Sequence, residues 1–167
     1  MPSCTTLARV VLLALVLGSG VALSKQEPAV PPAVSDVESG LAVNASDGIA
    51  IHGYDPVAYL IDHEAVPGSA EFAAIWRGAE WRFSSARNRA LFVADPARYA
   101  PQYGGFGAYG TAIGKAYDVD PRVFDVIDGR LYLHRNDRVR ELWQRNPKGY
   151  IAEADDTWRQ RMRSAGS

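Results

Sequence analysis

Six residues combine aromatic surface with polar or ionisable groups at two places in the chain. Three stand close together just before Pro56, and three are interleaved with glycines further on: His52, Tyr54, Asp55, Tyr103, Phe106 and Tyr109. Glycine permits close backbone approach, and tyrosine adds a hydroxyl that needs a partner. A glycine-lined aromatic cleft with Asp55 and His52 at its mouth would suit a small ligand. The alternative is that these rings are core and turn-packing residues, as aromatics commonly are.

The three histidines are the other residues that could bind a metal, because neutral imidazole is a ligand for zinc, copper and nickel. No pair among His52, His63 and His134 has the spacing that places two ligands on one helical face. A site would need tertiary structure to bring a histidine to a carboxylate such as Asp55 or Asp128. We therefore assign no metal ligands and expect no cofactor.

Motifs for catalysis and phosphate binding are missing from the sequence. It contains no Gly-x-Ser-x-Gly elbow and no His-Glu-x-x-His pair. Helix capping accounts for Ser84 or Ser85. The run Gly104-Gly105 lacks the lysine–hydroxyl ending of a phosphate loop. We expect no catalytic residues and no enzymatic activity, and we predict positive φ at one of the two glycines.

Composition and charge narrow the classes of partner. The chain has 167 residues, of which 47% are hydrophobic, so one packed domain is expected. Its net charge is −1, which predicts no nucleic-acid partner. From Arg130 onward nine basic residues outnumber five acidic ones, which is typical of solvated helix faces. The alternative is an interaction module that docks on another exported or membrane protein through Arg138 and Arg145.

The N-terminus has the pattern of an export signal, because Arg9 precedes an apolar run at positions 10–17. That run is too short for a membrane-spanning helix, so we expect no transmembrane segment. We predict a signal peptide at residues 1–23, a flexible linker at residues 24–40, and a periplasmic or secreted domain at residues 41–165. The only cysteine, Cys4, would leave with the signal, so the domain must fold without disulfides.

The spacing of apolar and turn residues predicts a small α+β domain. Residues 71–76 and 79–83 flank Arg77-Gly78, and residues 123–127 and 131–133 flank Asp128-Gly129, so each pair predicts a hairpin. Residues 49–51 are a further strand candidate. The expected architecture is short antiparallel hairpins packed with a central helix and two C-terminal helices.

Capping residues predict where the helices begin. Asp55 precedes Pro56, Ser84 or Ser85 precedes the central helix, Asn136 precedes another, and Pro147 opens the last. The periodicity predicts three apolar faces: Ala86, Ala90, Leu91 and Ala94 in the central helix; Val139, Leu142 and Trp143 in the next; and Ile151, Ala154, Trp158 and Met162 in the last.

The chain resembles the YHS-domain family over most of residues 49–158. The family core is matched by Trp81-Arg82-Phe83-Ser84-Ser85, Asn88-Arg89, Phe92, Asp95-Pro96 and Tyr99. Stand-alone exported members are matched by His52-Gly53-Tyr54-Asp55-Pro56-Val57-Ala58-Tyr59, Tyr99-Ala100-Pro101-Gln102-Tyr103-Gly104-Gly105 and Asp128-Gly129-Arg130-Leu131-Tyr132-Leu133.

The resemblance implies a compact α+β module of a family that is often associated with metal handling. Metal-associated and stand-alone members carry cysteines at positions that hold Ala58, Ser84 and Gly107 in this chain. Thiolate is the soft ligand that selects Cu(I), so we expect weak Cu(I) binding or none. The resulting expectation is an exported binding module for a small ligand or a metal species.

Overall fold

The computed structural model describes residues 43–165, so the predicted signal peptide and linker lie outside the described residues. The strands are β1 (Ala45–Ser46), β2 (Ile49–Ala50), β3 (Ser69–Trp76), β4 (Ala79–Phe83), β5 (Asp120–Ile127) and β6 (Arg130–His134). The helices are α1 (Pro56–Ile61), α2 (Ala86–Ala94), α3 (Pro96–Tyr99), α4 (Ala108–Ala112), α5 (Asp137–Trp143) and α6 (Pro147–Ala165). Two short 3-10 helices span Ile51–Gly53 and Gln102–Gly105. The predicted α+β class is confirmed.

The antiparallel pairs β3–β4 and β5–β6 form the longest parts of two sheets, and the short strands β1 and β2 pair antiparallel beside β4. The first sheet has the order β1-β2-β4-β3, in which β2 runs parallel to β4, and the second contains β5 and β6. The turn residues Arg77-Gly78 and Asp128-Gly129 all have positive φ, as a two-residue turn matching the strand twist requires. Both predicted hairpins are confirmed, and the predicted strand at 49–51 ends one residue earlier, where a 3-10 helix begins.

The central helix α2 buries a different face from the one predicted. The predicted apolar stripe is wrong, because three of its members are exposed and one is half-buried: Ala86, Ala90, Ala94 and Leu91. The buried residues are Asn88 and Phe92. The ring of Phe92 stacks on Trp81 at 5.2 Å between centroids, and an aromatic ring buries far more apolar surface than a run of alanines.

The predicted helix starts are confirmed at their caps. Asp55 accepts from the first turn of α1, Ser85 Oγ accepts from Asn88 N–H at 3.1 Å, and Asn136 Oδ1 accepts from Val139 N–H at 3.0 Å. Pro147 is the first residue of α6. The predicted inner faces of α5 and α6 are confirmed, with Trp143 and Ala154 buried and the other members half-buried.

Two hydrophobic clusters meet at the segment between α3 and α4. The first lies on the β1–β4 sheet and includes Trp76, Trp81 and Tyr99. The second joins β6 to α4, α5 and α6 and includes Tyr103 and Trp143. The 3-10 helix Gln102–Gly105 therefore lies at the boundary between the two clusters. Within residues 43–165, none of the helices has the length and apolar character needed to cross a bilayer.

Candidate functional site

Asp55 lies where α1, β4 and α2 meet, and it is fully buried. Its Oδ1 accepts from the N–H groups of Val57 at 2.9 Å and Ala58 at 3.4 Å. Its Oδ2 accepts from the N–H of Ser84 at 2.9 Å, from the Ser84 hydroxyl at 2.7 Å and from Asn88 Nδ2 at 2.7 Å. Five neutral donors thus satisfy the carboxylate inside the fold. We call this arrangement the Asp55 junction.

His52 occupies a left-handed backbone position, with φ of 55°, and its side chain is exposed. Its Nε2 lies 2.8 Å from Asp118 Oδ1. The same oxygen accepts from Asn44 Nδ2 at 2.9 Å, and Asn44 also donates to the carbonyl of Gly105 at 3.1 Å. Burial raises the pKa of Asp118, but hydrogen bonds from Asn44, His52 and the Val119 N–H outweigh it and hold that pKa below its usual range.

The turn after α3 requires unusual backbone angles at three successive residues. Tyr103, Gly104 and Gly105 have φ of 58°, 64° and 87°, which confirms the prediction for the glycines. A Cβ at Gly105 would lie 2.7 Å from Ile51 Cγ2, so any other residue would be strained at this φ and would require Ile51 to move. The turn directs the Tyr103 ring toward α6, where its hydroxyl donates to Asp155 Oδ1 at 2.9 Å. Burial and this hydrogen bond raise the pKa of the Tyr103 hydroxyl well above its usual range.

A cleft of about 310 Å³ opens beside this turn, between the β3–β4 hairpin and α6. We call it the aromatic cleft, because four of its lining residues are aromatic: Trp76, Trp81, Tyr103 and Trp158. Trp76 and Trp81 are 4% and 1% exposed, so they form its floor, whereas Trp158 is half-buried and forms a wall. The volume falls within the range of about 300–1,000 Å³ that is usual for small-molecule sites.

Three charged side chains complete the lining. The Arg77 guanidinium lies 4.4 Å from the centroid of the Trp76 ring. Arg159 donates through Nε to the carbonyl of Asp155 at 3.2 Å and also pairs with Asp156 at the surface. The Asp155 carboxylate accepts from Tyr103. The lining therefore carries two guanidinium groups and one carboxylate that already has a donor.

A larger hollow of about 580 Å³ is bounded by the ends of α1 and α3 and by the β5–β6 turn. Its walls include His63, Arg98 and Asp128, all of which are exposed. Its only buried lining residue is Tyr99, which is 8% exposed. The aromatic cleft is smaller but has a buried aromatic floor, so we regard it as the better candidate for ligand binding.

The sequence-predicted residues lie in several places rather than around one cleft. Tyr103 lines the aromatic cleft. Phe106 lies behind its wall, with its ring centroid 6.4 Å from that of Trp158. Tyr109 packs edge-on against Tyr150 at 5.1 Å and lines a separate pocket. His52, Tyr54 and Asp55 are not part of the cleft lining, and Tyr54 instead bridges to Pro67.

Sequence reasoning missed most of the residues that line the cleft. Trp76 and Arg77 stand at the end of β3 and in its turn, and Trp158 and Arg159 are adjacent on α6. The sequence contains three tryptophan–arginine dipeptides, and the tryptophans of all three, Trp76, Trp81 and Trp158, line the cleft. This repeated pair is a recognisable signal, because a guanidinium readily stacks on indole. Sequence spacing gives no indication that these residues are close in space, because 80 residues lie between Arg77 and Trp158.

The histidines do not form a cluster with other metal-binding side chains. His134 is fully buried, and its Nε2 lies 3.0 Å from Asp125 Oδ2. Asp125 also accepts from Arg140 and Gln144. Burial raises the pKa of Asp125, but these hydrogen bonds outweigh it and hold that pKa well below its usual range. Among residues 43–165, no group of three or more His, Cys, Asp or Glu side chains is arranged to hold a metal ion.

The three positions at which the resemblance implies cysteines are not all at one place. Ala58 and Ser84 both donate to Asp55. Gly107 instead lies near the backbone of Tyr117 and Arg135.

Comparison of the chain with protein-family models, curated proteins and solved structures finds no match. The case for a function therefore depends on the geometry described above and on the resemblance to the YHS-domain family.

Proposed function

We propose that this protein is an exported, non-catalytic YHS-like binding module whose aromatic cleft binds a small planar organic anion. The observation that carries the proposal is the pairing of an aromatic floor with two arginines in one cleft. Flat apolar rings favour a planar ligand, because stacked or edge-on contacts bury area without ordering flexible chains. Export is supported by the signal pattern at residues 1–23.

The charges of the cleft favour an anion over a cation. In the lining, Arg77 and Arg159 contribute two positive charges, which exceed the single negative charge of Asp155. Guanidinium groups bind carboxylates and phosphates through paired hydrogen bonds. A cationic ligand would have to approach both guanidinium groups, which is unfavourable.

Arg159 is able to turn toward a ligand at small energetic cost. Its side chain is 66% exposed, and that of its partner Asp156 is 68% exposed. Exposed ion pairs of this kind contribute only about 0–1 kcal/mol to stability. A charge-assisted hydrogen bond to a ligand in a less hydrated cleft is worth about 1.5–3 kcal/mol, so exchanging the partner is favourable.

A matched series of ligands tests the proposal with the full chain. Naphthoate, its neutral amide and naphthylmethylamine share one ring system and differ in charge, and their binding is measured by calorimetry. We expect naphthoate to bind more tightly than the amide, and the amine to bind most weakly. Higher salt should weaken naphthoate binding, since it screens exposed charges.

Variants then locate the site. Arg77→Gln and Arg159→Gln should each weaken naphthoate binding about tenfold. The exposed Arg145, which does not line the cleft, provides the control variant Arg145→Gln. The proposed function would be contradicted if all three ligands bound with equal affinity. It would also be contradicted if all three variants lost the same amount of naphthoate affinity.

A further inference from the structure

A second, smaller pocket lies against the loop after α4, on residues that the proposed function does not use. We call it the loop pocket, and its main lining residues are Gly107, Tyr109, Ile113, Tyr117, Arg135 and Val139. Its volume is about 120 Å³. That is well below the roughly 300 Å³ at which small-molecule sites usually begin. The loop pocket therefore suits a single inserted side chain.

Hydrogen bonds hold the loop pocket in shape. The N–H of Gly107 donates to the carbonyl of Tyr117 at 3.0 Å, and the N–H of Lys115 donates to the carbonyl of Gly110 at 2.8 Å. A Cβ at Gly110 would lie 2.8 Å from Tyr117 Cδ2, so the glycine allows this ring to lie against α4. The Arg135 guanidinium then lies 5.2 Å from the Tyr117 ring centroid. A preformed pocket costs little entropy when it is filled.

Exposed apolar side chains concentrate at the edge of this pocket. Among the described residues, four large hydrophobic side chains are clearly exposed, and two of them, Ile113 at 51% and Tyr117 at 40%, border the loop pocket. Contiguous exposed apolar surface around a concave site is typical of protein interaction surfaces.

The charges around the loop are cationic. Arg135 lines the loop pocket, and Lys115 and Arg161 line a neighbouring pocket on residues 111–116 and α6. Neither lining includes a carboxylate. The nearby Asp118 is paired with His52. An anionic partner would therefore meet cations on both sides of the loop.

We propose that this face binds an acidic peptide segment of a partner protein, with one apolar side chain inserted into the loop pocket. The carboxylates of the segment then lie beside Arg135, Lys115 and Arg161. The anchor pocket shares no lining residue with the aromatic cleft, whereas the neighbouring pocket that holds Lys115 and Arg161 shares Trp158 with it.

The test uses the full chain and a defined probe, a capped fluorescent peptide with one leucine flanked on each side by two aspartates. Replacing the leucine by serine removes the anchor, and replacing the aspartates by lysines reverses the charge. Binding is followed by anisotropy and by amide chemical shifts. We expect the acidic leucine peptide to bind and to shift resonances of residues 107–117 and 135–139. Loss of the leucine should weaken binding about tenfold or more.

Protein variants distinguish this site from other binding modes. Ile113→Ser and Arg135→Gln should each weaken peptide binding several-fold, whereas Arg87→Gln, on an exposed residue of α2 outside the loop pocket, should not. Saturating naphthoate should leave the affinity difference between the leucine and serine peptides unchanged, because the anchor pocket shares no lining residue with the cleft.

Three results would overturn the proposal. The first is the absence of shifts at residues 107–117 at about millimolar peptide, the weak limit of a specific complex. The second is equal binding of the lysine peptide. The third is a concentration-dependent dimer that Ile113→Ser abolishes, since it would assign the face to a second copy of the chain.

Discussion

The Asp55 junction and the aromatic cleft differ in whether their polar groups are enclosed by the protein or face open space. At the junction, one buried carboxylate accepts five hydrogen bonds from the protein itself, so its polar groups are satisfied without a ligand. In the cleft, guanidinium groups and rings border open space. Burial with complete hydrogen bonding favours stability, whereas an exposed guanidinium such as that of Arg159 can exchange a surface partner for a ligand. Changes at the junction should therefore alter stability, and changes in the cleft should alter binding.

The largest expected effect is that of Asp55→Asn. The new amide would direct its N–H₂ toward donors of Ser84 and Asn88, leaving buried groups unsatisfied. We expect a loss of about 3 kcal/mol in the free energy of unfolding, measured in urea. Asp62→Asn, at an exposed position at the end of α1, is the matched control. Naphthoate affinity of the folded variant should be unchanged, and a selective loss of affinity would break the comparison.

Gly105→Ala should have the next largest effect, because it affects the turn that places Tyr103 in the cleft. Alanine at φ of 87° is strained, and its Cβ would lie 2.7 Å from Ile51. We expect Gly105→Ala to lower the free energy of unfolding by about 2 kcal/mol. Gly104→Ala, at φ of 64°, should cost only about 1 kcal/mol. Chemical unfolding of both variants measures the difference, and equal stability of the two would show that the contact with Ile51 is unimportant.

Asp125→Asn tests a second, partly buried carboxylate against Asp55. Asp55 accepts only from neutral donors, whereas Asp125 also pairs with the charged Arg140. The folded-state pKa of Asp125 is depressed, so its contribution to stability is present above its unfolded pKa of about 3.9 and is lost as pH falls through the folded pKa. We expect Asp125→Asn to lose about 1–2 kcal/mol at neutral pH, since the side chain is only partly buried. The stability advantage of wild type over the variant should begin to shrink as pH falls below about 4 and should disappear only as pH approaches the depressed folded pKa. Thermal midpoints of wild type and variant, measured across this pH range, test the prediction. A difference between the two midpoints that stays constant with pH would contradict the depressed pKa of Asp125.

The smallest expected effect on stability is that of Arg159→Gln. Its ion pair with Asp156 is exposed, so the free energy of unfolding should change by less than about 0.5 kcal/mol. The same substitution should weaken naphthoate binding about tenfold. Parallel urea and calorimetric titrations measure both quantities. A large loss of stability with unchanged binding would place Arg159 with the structural residues and remove the distinction between the two regions.

The local elements follow from short-range chemistry, so sequence reasoning was right about them. The turns Arg77-Gly78 and Asp128-Gly129 and the caps Asp55 and Asn136 act over a few neighbouring residues, and their side chains or backbone preferences determine where strands and helices begin. The positive φ of Gly104 and Gly105 is of the same kind. The prediction of the buried face of α2 was wrong, because periodicity gives every apolar residue the same weight. In the structure, packing against Trp76 and Trp81 buries Phe92 instead.

By itself, the sequence determined the α+β class, the β3–β4 and β5–β6 hairpins, the starts of α1, α2, α5 and α6, and the need for glycine after Tyr103. It did not predict α3 or α4. Only the tertiary structure decided that Asp55 is closed within a junction of α1, β4 and α2, and that Arg77 and Arg159 border the same cleft. The physical reason is range: caps and turns depend on neighbours within a few positions, while a cleft depends on how β3 and α6 pack around buried rings. Residues 80 or more positions apart, such as Arg77 and Trp158, are brought together by that packing alone.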